Sequence, residues 1–79
     1  MITRLLPKTF EARAKEIYWQ RIQAGQSPAE AIENGAHQLA GEFPRKPLGR
    51  IAEKVAEVAR ADVGATHADV VVAICRLRQ

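Results

Sequence analysis

The sequence predicts an all-α fold, a small three- to four-helix bundle that forms a single helical domain over residues 1–79. Three observations predict it: apolar residues recur at helical spacing, capping residues precede these stretches, and glycine or proline separates them. The competing prediction is an α+β arrangement in which an N-terminal strand pairs with a C-terminal strand. Each segment can be tested in turn for caps and periodicity.

The first helix is expected from about Phe10 to Ala24. Thr9 can cap its start, and Gly25 is the kind of residue that ends a helix. At 100° per residue the apolar side chains fall on one broad face, formed by Phe10, Ala14, Ile17, Tyr18 and Ile22. Trp19 projects away from this face, so either the last segment covers its indole or the indole belongs to an interface.

The second helix has the clearest start in the chain. Ser27 and Glu30 form an S-x-x-E capping box, and Pro28 suits the first helical position. The apolar face comprises Ile32, Ala36, Leu39 and Phe43. The short connection through Gly25 predicts a tight helical hairpin.

The third helix is expected from Leu48 to Ala61, after Pro44 and Pro47 break the chain. Its apolar stripe contains Leu48, Ile51, Ala52, Val55, Val58 and Ala59. Because part of this stripe also fits two heptads, a short coiled-coil pairing is one interpretation of it.

The last segment allows two interpretations. Thr66 and Asp69 form a weaker T-x-x-D cap, which predicts a helix to about Arg78. Its apolar residues surround such a helix almost completely, so a helix here is expected to be buried on most sides. They include three consecutive valines: Val70, Val71, Val72, Ile74, Cys75 and Leu77. Consecutive β-branched residues favour a strand, and Met1 to Leu6 would be its partner. The cap and the shortage of other strands favour the helix.

Composition restricts the class of protein. A single cysteine cannot form an internal disulfide, which makes the cytoplasm the expected location. The N-terminal apolar stretch is too short for a signal peptide, and no run has the length of a membrane span, so no membrane partner is expected. Fourteen alanines and only four aromatic residues predict a thin core. A core in a chain this short rarely supplies more than about 3–5 kcal/mol, which predicts burial against a partner.

Catalytic chemistry finds little support in the sequence. Cys75 and His67 are eight residues apart, about 12 Å along a helix, which is out of hydrogen-bond reach. Cys75 is more typical of a small core residue. The two histidines and one cysteine lack zinc-site spacing, and no phosphate-binding motif occurs. We therefore expect no enzyme activity, no metal and no cofactor.

Two functions remain. The first is a non-catalytic protein–protein interaction module, a small regulator, adaptor or inhibitor of a larger assembly that acts on a protein partner or as a homodimer. Its candidate partner-binding residues are Trp19 with Arg13 and Gln20, and the basic cluster Arg45, Lys46 and Arg50. The alternative is a small basic DNA-binding transcriptional regulator with a degenerate helix-turn-helix around Gly64, which fits a net charge of +3. Arg60 stands there where close helix contact favours alanine.

Overall fold

A computed structural model describes residues 9–78, and this part of the chain forms four α-helices without a strand. They are α1 (Phe10–Gln23), α2 (Pro28–Glu42), α3 (Leu48–Arg60) and α4 (His67–Leu77). The all-α prediction is confirmed. No helix within residues 9–78 combines the length and the hydrophobicity that a bilayer crossing needs.

The predicted caps form where the sequence places them. The Thr9 side chain accepts a hydrogen bond from the Ala12 N–H at the start of α1. Ser27 with Glu30 and Thr66 with Asp69 form reciprocal capping boxes at the starts of α2 and α4. These bonds satisfy N–H groups that have no partner inside a helix, so they fix where the helices begin.

The turn between α1 and α2 depends on Gly25, whose φ is +94°. The Gly25 N–H donates to the Ile22 carbonyl, and the Gln26 N–H donates to the Arg21 carbonyl at 3.1 Å. This pair of hydrogen bonds is a Schellman motif, which requires one residue in the left-handed conformation, and glycine adopts that conformation without strain. The predicted helical hairpin is confirmed.

Helix α2 is central and packs against α1, α3 and α4. Its Gly35 is buried, and a Cβ atom at that position would lie 3.2 Å from Ile17 Cγ2 and 3.7 Å from Val55 Cγ1. The missing side chain therefore lets α1 and α3 approach α2 closely. Helix α4 packs against α2 and α3 but makes no contact with α1 within the described chain.

The core is one continuous cluster to which all four helices contribute. Its largest fully buried side chains are Tyr18, Ile17, Ile32, Leu39, Ile51 and Val55. Alanines fill most of the remaining positions, namely Ala14, Ala31, Ala36, Ala52, Ala56, Ala59 and Ala73, and Val58, Val70 and Leu77 complete the cluster. The core contains most of the third helix stripe, which leaves little of it for a coiled coil with a second chain.

The α+β alternative is wrong, because the C-terminal segment is helical; its proposed partner strand, Met1 to Leu6, lies outside the described residues. The expectation that this segment is buried on most sides is also wrong. Helix α4 buries Val70, Ala73 and Leu77, while Val71, Val72 and Cys75 are exposed. The physical reason is that α4 lies at the edge of the bundle, where only α2 and α3 cover it.

Candidate interaction surface

Trp19 lies on the outer side of α1, next to the buried Tyr18. The two rings meet edge to face, with centroids 5.2 Å apart and an interplanar angle of 84°. Trp19 is 40% exposed and lines a depression of about 230 Å³ together with Val58 and Ala61 near the end of α3. The expectation that the last segment covers this indole is wrong, because α4 does not reach α1.

Tyr18 anchors this end of α1. Its side chain is fully buried, and its hydroxyl donates to Asp62 Oδ2 at 2.8 Å, across the turn that follows α3. Burial, together with the negative charge and hydrogen bond of Asp62, raises the pKa of the Tyr18 phenol above its usual value near 10. The residue that precedes Trp19 is therefore fixed both by burial in the core and by a hydrogen bond to the turn after α3.

Aromatic and basic side chains meet at the other end of α1. The Phe10 and Phe43 rings contact edge to face, with centroids 5.3 Å apart. The Lys46 Nζ lies 4.7 Å from the Phe10 centroid, within cation–π distance. Phe10 and Lys46 also line a second cavity of about 550 Å³ beside Arg45 and Arg50.

These two cavities share a wall, because Lys54 and Glu57 of α3 line both of them. Lys54 and Glu57 form an ion pair at 3.2 Å. We call the combined feature the α1–α3 groove, which runs between parallel helices from the basic cluster to the indole. Its surface combines aromatic rings and arginines, residue types that are enriched at protein interfaces, with lysine and glutamate side chains.

The structure brings four of the six predicted partner-binding residues to this groove. Trp19 lies at one end, and Arg45, Lys46 and Arg50 lie at the other. Gln20 is exposed beside Trp19 but does not line the groove.

Arg13 lies elsewhere, between α1 and α2. Its guanidinium donates to both carboxylate oxygens of Glu42, at 2.6 Å and 2.8 Å, and also pairs with Glu16. The hydrogen bonds from Arg13 lower the pKa of the Glu42 carboxyl, and Glu42 in turn raises the pKa of Arg13. Arg13 therefore joins two helices within the chain, a role that sequence reasoning missed because Glu42 is 29 residues away.

Groups that carry reaction chemistry do not converge. Cys75 is a free, exposed thiol, so its predicted place in the core is wrong. Within residues 9–78, no group of three or more His, Cys, Asp or Glu residues is arranged to hold a metal ion.

Sequence reasoning also missed a groove between α3 and α4. Leu48, which was expected on the buried stripe of the third helix, is 38% exposed there and lines the groove with Ile74. No pattern within either helix predicts this groove, because it depends on how the two helices pack.

The chain matches no protein-family model, no curated protein and no solved structure.

Proposed function

We propose that the protein is a non-catalytic protein-binding module that engages its partner through the α1–α3 groove. A small regulator, adaptor or inhibitor of a larger assembly is the role we assign to it. The single observation that carries this proposal is the half-exposed Trp19 at one end of a groove whose other end is basic.

Trp19 supports the proposal because its indole exposes apolar surface to water, and covering that surface with a partner lowers the free energy. Tryptophan is among the residues that most often contribute large binding energies at interfaces. The edge-to-face contact with the buried Tyr18 ring orients the indole before binding, which lowers the entropic cost of ordering it.

The basic end of the groove favours an acidic partner surface. Arg45 and Arg50 make no ion pair or side-chain hydrogen bond within residues 9–78, and Lys46 contacts the Phe10 ring. Charges of this kind increase the association rate with a surface of opposite charge and fix its orientation. A second copy of the chain is the alternative occupant, and we include homodimerisation in the proposal.

The DNA-binding alternative finds less support in the exposed face of α4, the helix that would enter the major groove. That face presents Ala68, Val71, Val72 and Cys75, which offer no strong donors to base edges, and its arginine, Arg76, already pairs with Glu33 of α2 at 3.6 Å. An exposed, unpaired thiol on the same face fits a reducing compartment, and we propose the cytoplasm on that ground.

Site-specific photocrosslinking tests the proposal. A benzophenone amino acid is incorporated at Lys54, inside the groove, or at His37, which is exposed on α2 outside it. We expect discrete crosslinked products from position 54, to another protein or to a second copy of this chain, and none from position 37.

The companion variants are Trp19→Ala and Val72→Ala, which each remove an exposed apolar side chain. The first should abolish the crosslink from position 54, and the second should leave it intact, since Val72 lies on α4 away from the groove. Equal crosslinking from positions 54 and 37, or a crosslink that persists in Trp19→Ala, would contradict the proposal.

A further inference from the structure

The α3–α4 groove has a volume of about 430 Å³ and lies on a different side of α3 from the Trp19 depression. Its apolar lining comes from Leu48, Ile74 and Leu77. Leu48 is 38% exposed and Ile74 is half-buried, so aliphatic surface is open to water along the groove. The first turn of α3 lies beside the last turn of α4 along the groove, as expected for two antiparallel helices.

Arginines surround this aliphatic floor. Arg50, Arg60 and Arg78 line the groove, and Glu53 is the carboxylate among its lining residues. None of the three guanidinium groups forms an ion pair or a hydrogen bond within residues 9–78.

Other cationic side chains within residues 9–78 have partners in the chain. The glutamate-paired ones are Arg13, Lys15, Lys54 and Arg76, and Arg21 donates to Gln38. The remaining five side chains have neither a carboxylate nor a side-chain amide partner within residues 9–78, and they are Arg45, Lys46, Arg50, Arg60 and Arg78. The unpaired positive charge is thus concentrated around the first turn of α3 and along the α3–α4 groove.

We propose that the α3–α4 groove is a second docking site, and that its occupant is an acidic amphipathic helix of another protein. Aliphatic side chains of that helix, three or four residues apart, cover Leu48 and Ile74. Carboxylates beside these anchors pair with Arg50, Arg60 and Arg78. Arginine suits this role because its planar guanidinium can donate hydrogen bonds to both oxygens of a carboxylate at once.

The lining favours a helix over a nucleic acid. Phosphates would satisfy the arginines but would leave the aliphatic floor without an apolar partner, and the groove contains no aromatic ring on which a base could stack. A second copy of this chain fits less well, because the exposed apolar face of α4, at Ala68, Val71, Val72 and Cys75, carries no carboxylate.

Selection from a displayed peptide library tests the proposal without knowledge of the natural partner. The library presents helices of about four turns with one face randomised, and the full chain is the immobilised target. Enriched peptides should carry Leu, Ile or Met three or four positions apart, flanked by Asp or Glu. Their binding should weaken as salt is raised, because part of the attraction is electrostatic.

Charge-reversal variants then locate the binding site of an enriched peptide. Arg60→Glu and Arg78→Glu should each weaken its affinity by about tenfold, since each replaces an attraction with a repulsion. The matched control Lys15→Glu reverses a cation on α1, outside this groove, and should leave the affinity unchanged, as should Trp19→Ala. Circular dichroism verifies that each variant is folded.

Four results would overturn the proposal. The first is enrichment of peptides without acidic residues, and the second is equal binding to wild type, Arg60→Glu and Arg78→Glu. The third is a short DNA duplex or single-stranded RNA that perturbs the amide resonances of Leu48 and Ile74 at lower concentration than the selected peptide. Loss of binding in Trp19→Ala alone would assign the peptide to the α1–α3 groove and would also refute the second site.

Discussion

Gly35→Ala tests the close approach of α1 and α3 over α2, and Gly41→Ala is its matched control on the same helix. Replacing a helical glycine with alanine stabilises a protein by about 0.5–1 kcal/mol when the added methyl group meets nothing. At Gly41 no atom lies within 4 Å of the new Cβ, so this gain should appear in full. At Gly35 the new Cβ lies 3.2 Å from Ile17 Cγ2, with Val55 Cγ1 at 3.7 Å.

The close contacts at Gly35 reverse the expected effect of alanine on stability. Ile17 and Val55 are fully buried, so neither methyl group can move away without disturbing the core. Overpacking of this kind costs about 1–3 kcal/mol, which outweighs the helical gain and leaves Gly35→Ala less stable by about 1 kcal/mol. For a domain of this size, 1 kcal/mol corresponds to a change of about 4–8 °C in Tm.

Urea unfolding and thermal melting measure the difference between the two variants. Gly41→Ala should raise the midpoint, and Gly35→Ala should lower it at an unchanged m-value. Ile17→Leu removes the Cγ2 methyl group, so in this background Gly35→Ala should cost less than it does in wild type. The reasoning is refuted if Gly35→Ala stabilises the protein as much as Gly41→Ala does.

Four further predictions concern polar contacts. Glu42→Gln removes the ion pair with Arg13. Because the pKa of Glu42 is lowered on folding, this pair stabilises the wild type above pH about 4.5, and the contribution is lost on acidification. The urea midpoint should therefore fall less in the variant than in the wild type between pH 7 and pH 3. Tyr18→Phe should cost about 1–2 kcal/mol of unfolding free energy, measured by urea titration, because Asp62 loses its hydroxyl donor. In the wild type, tyrosinate absorbance should appear only well above pH 10. The free energy of unfolding should fall in that range, because the phenol of the unfolded chain ionises first. Tyrosinate absorbance from the folded protein near pH 10 would contradict the raised pKa. Ser27→Ala should cost about 1 kcal/mol by loss of the α2 cap, again in urea, whereas Ser27→Asp should retain most of the stability.

The sequence predicts the four helices well because their ends depend on contacts between near neighbours. Ser27 and Glu30 are three residues apart, as are Thr66 and Asp69, and both capping boxes form as expected. Helix α1 ends just before Gly25, where the Gly25 N–H bonds to a carbonyl three positions earlier and the Gln26 N–H bonds to a carbonyl five positions earlier. Such contacts can be recognised from spacing alone, since a helix brings these positions together whatever the rest of the chain does.

The candidate site could be predicted only in part. The indole of Trp19 and the basic cluster stand out from the sequence by residue type, but their arrangement along one groove follows from the parallel packing of α1 and α3. Arg13 has the residue type of an interface anchor, yet the fold pairs it with Glu42. Residue type shows what a side chain can bind, while only packing shows whether a partner within the chain already binds it.

From its amino-acid order alone, this chain specifies where helices start and stop and which of their faces are apolar, because those properties arise from neighbours within about one or two helical turns. Packing in three dimensions was needed to show that α4 leaves Val71 and Val72 exposed and that Tyr18 meets Asp62, 44 residues away. Contacts of that range depend on which helix lies beside which, and an apolar stripe does not specify its partner.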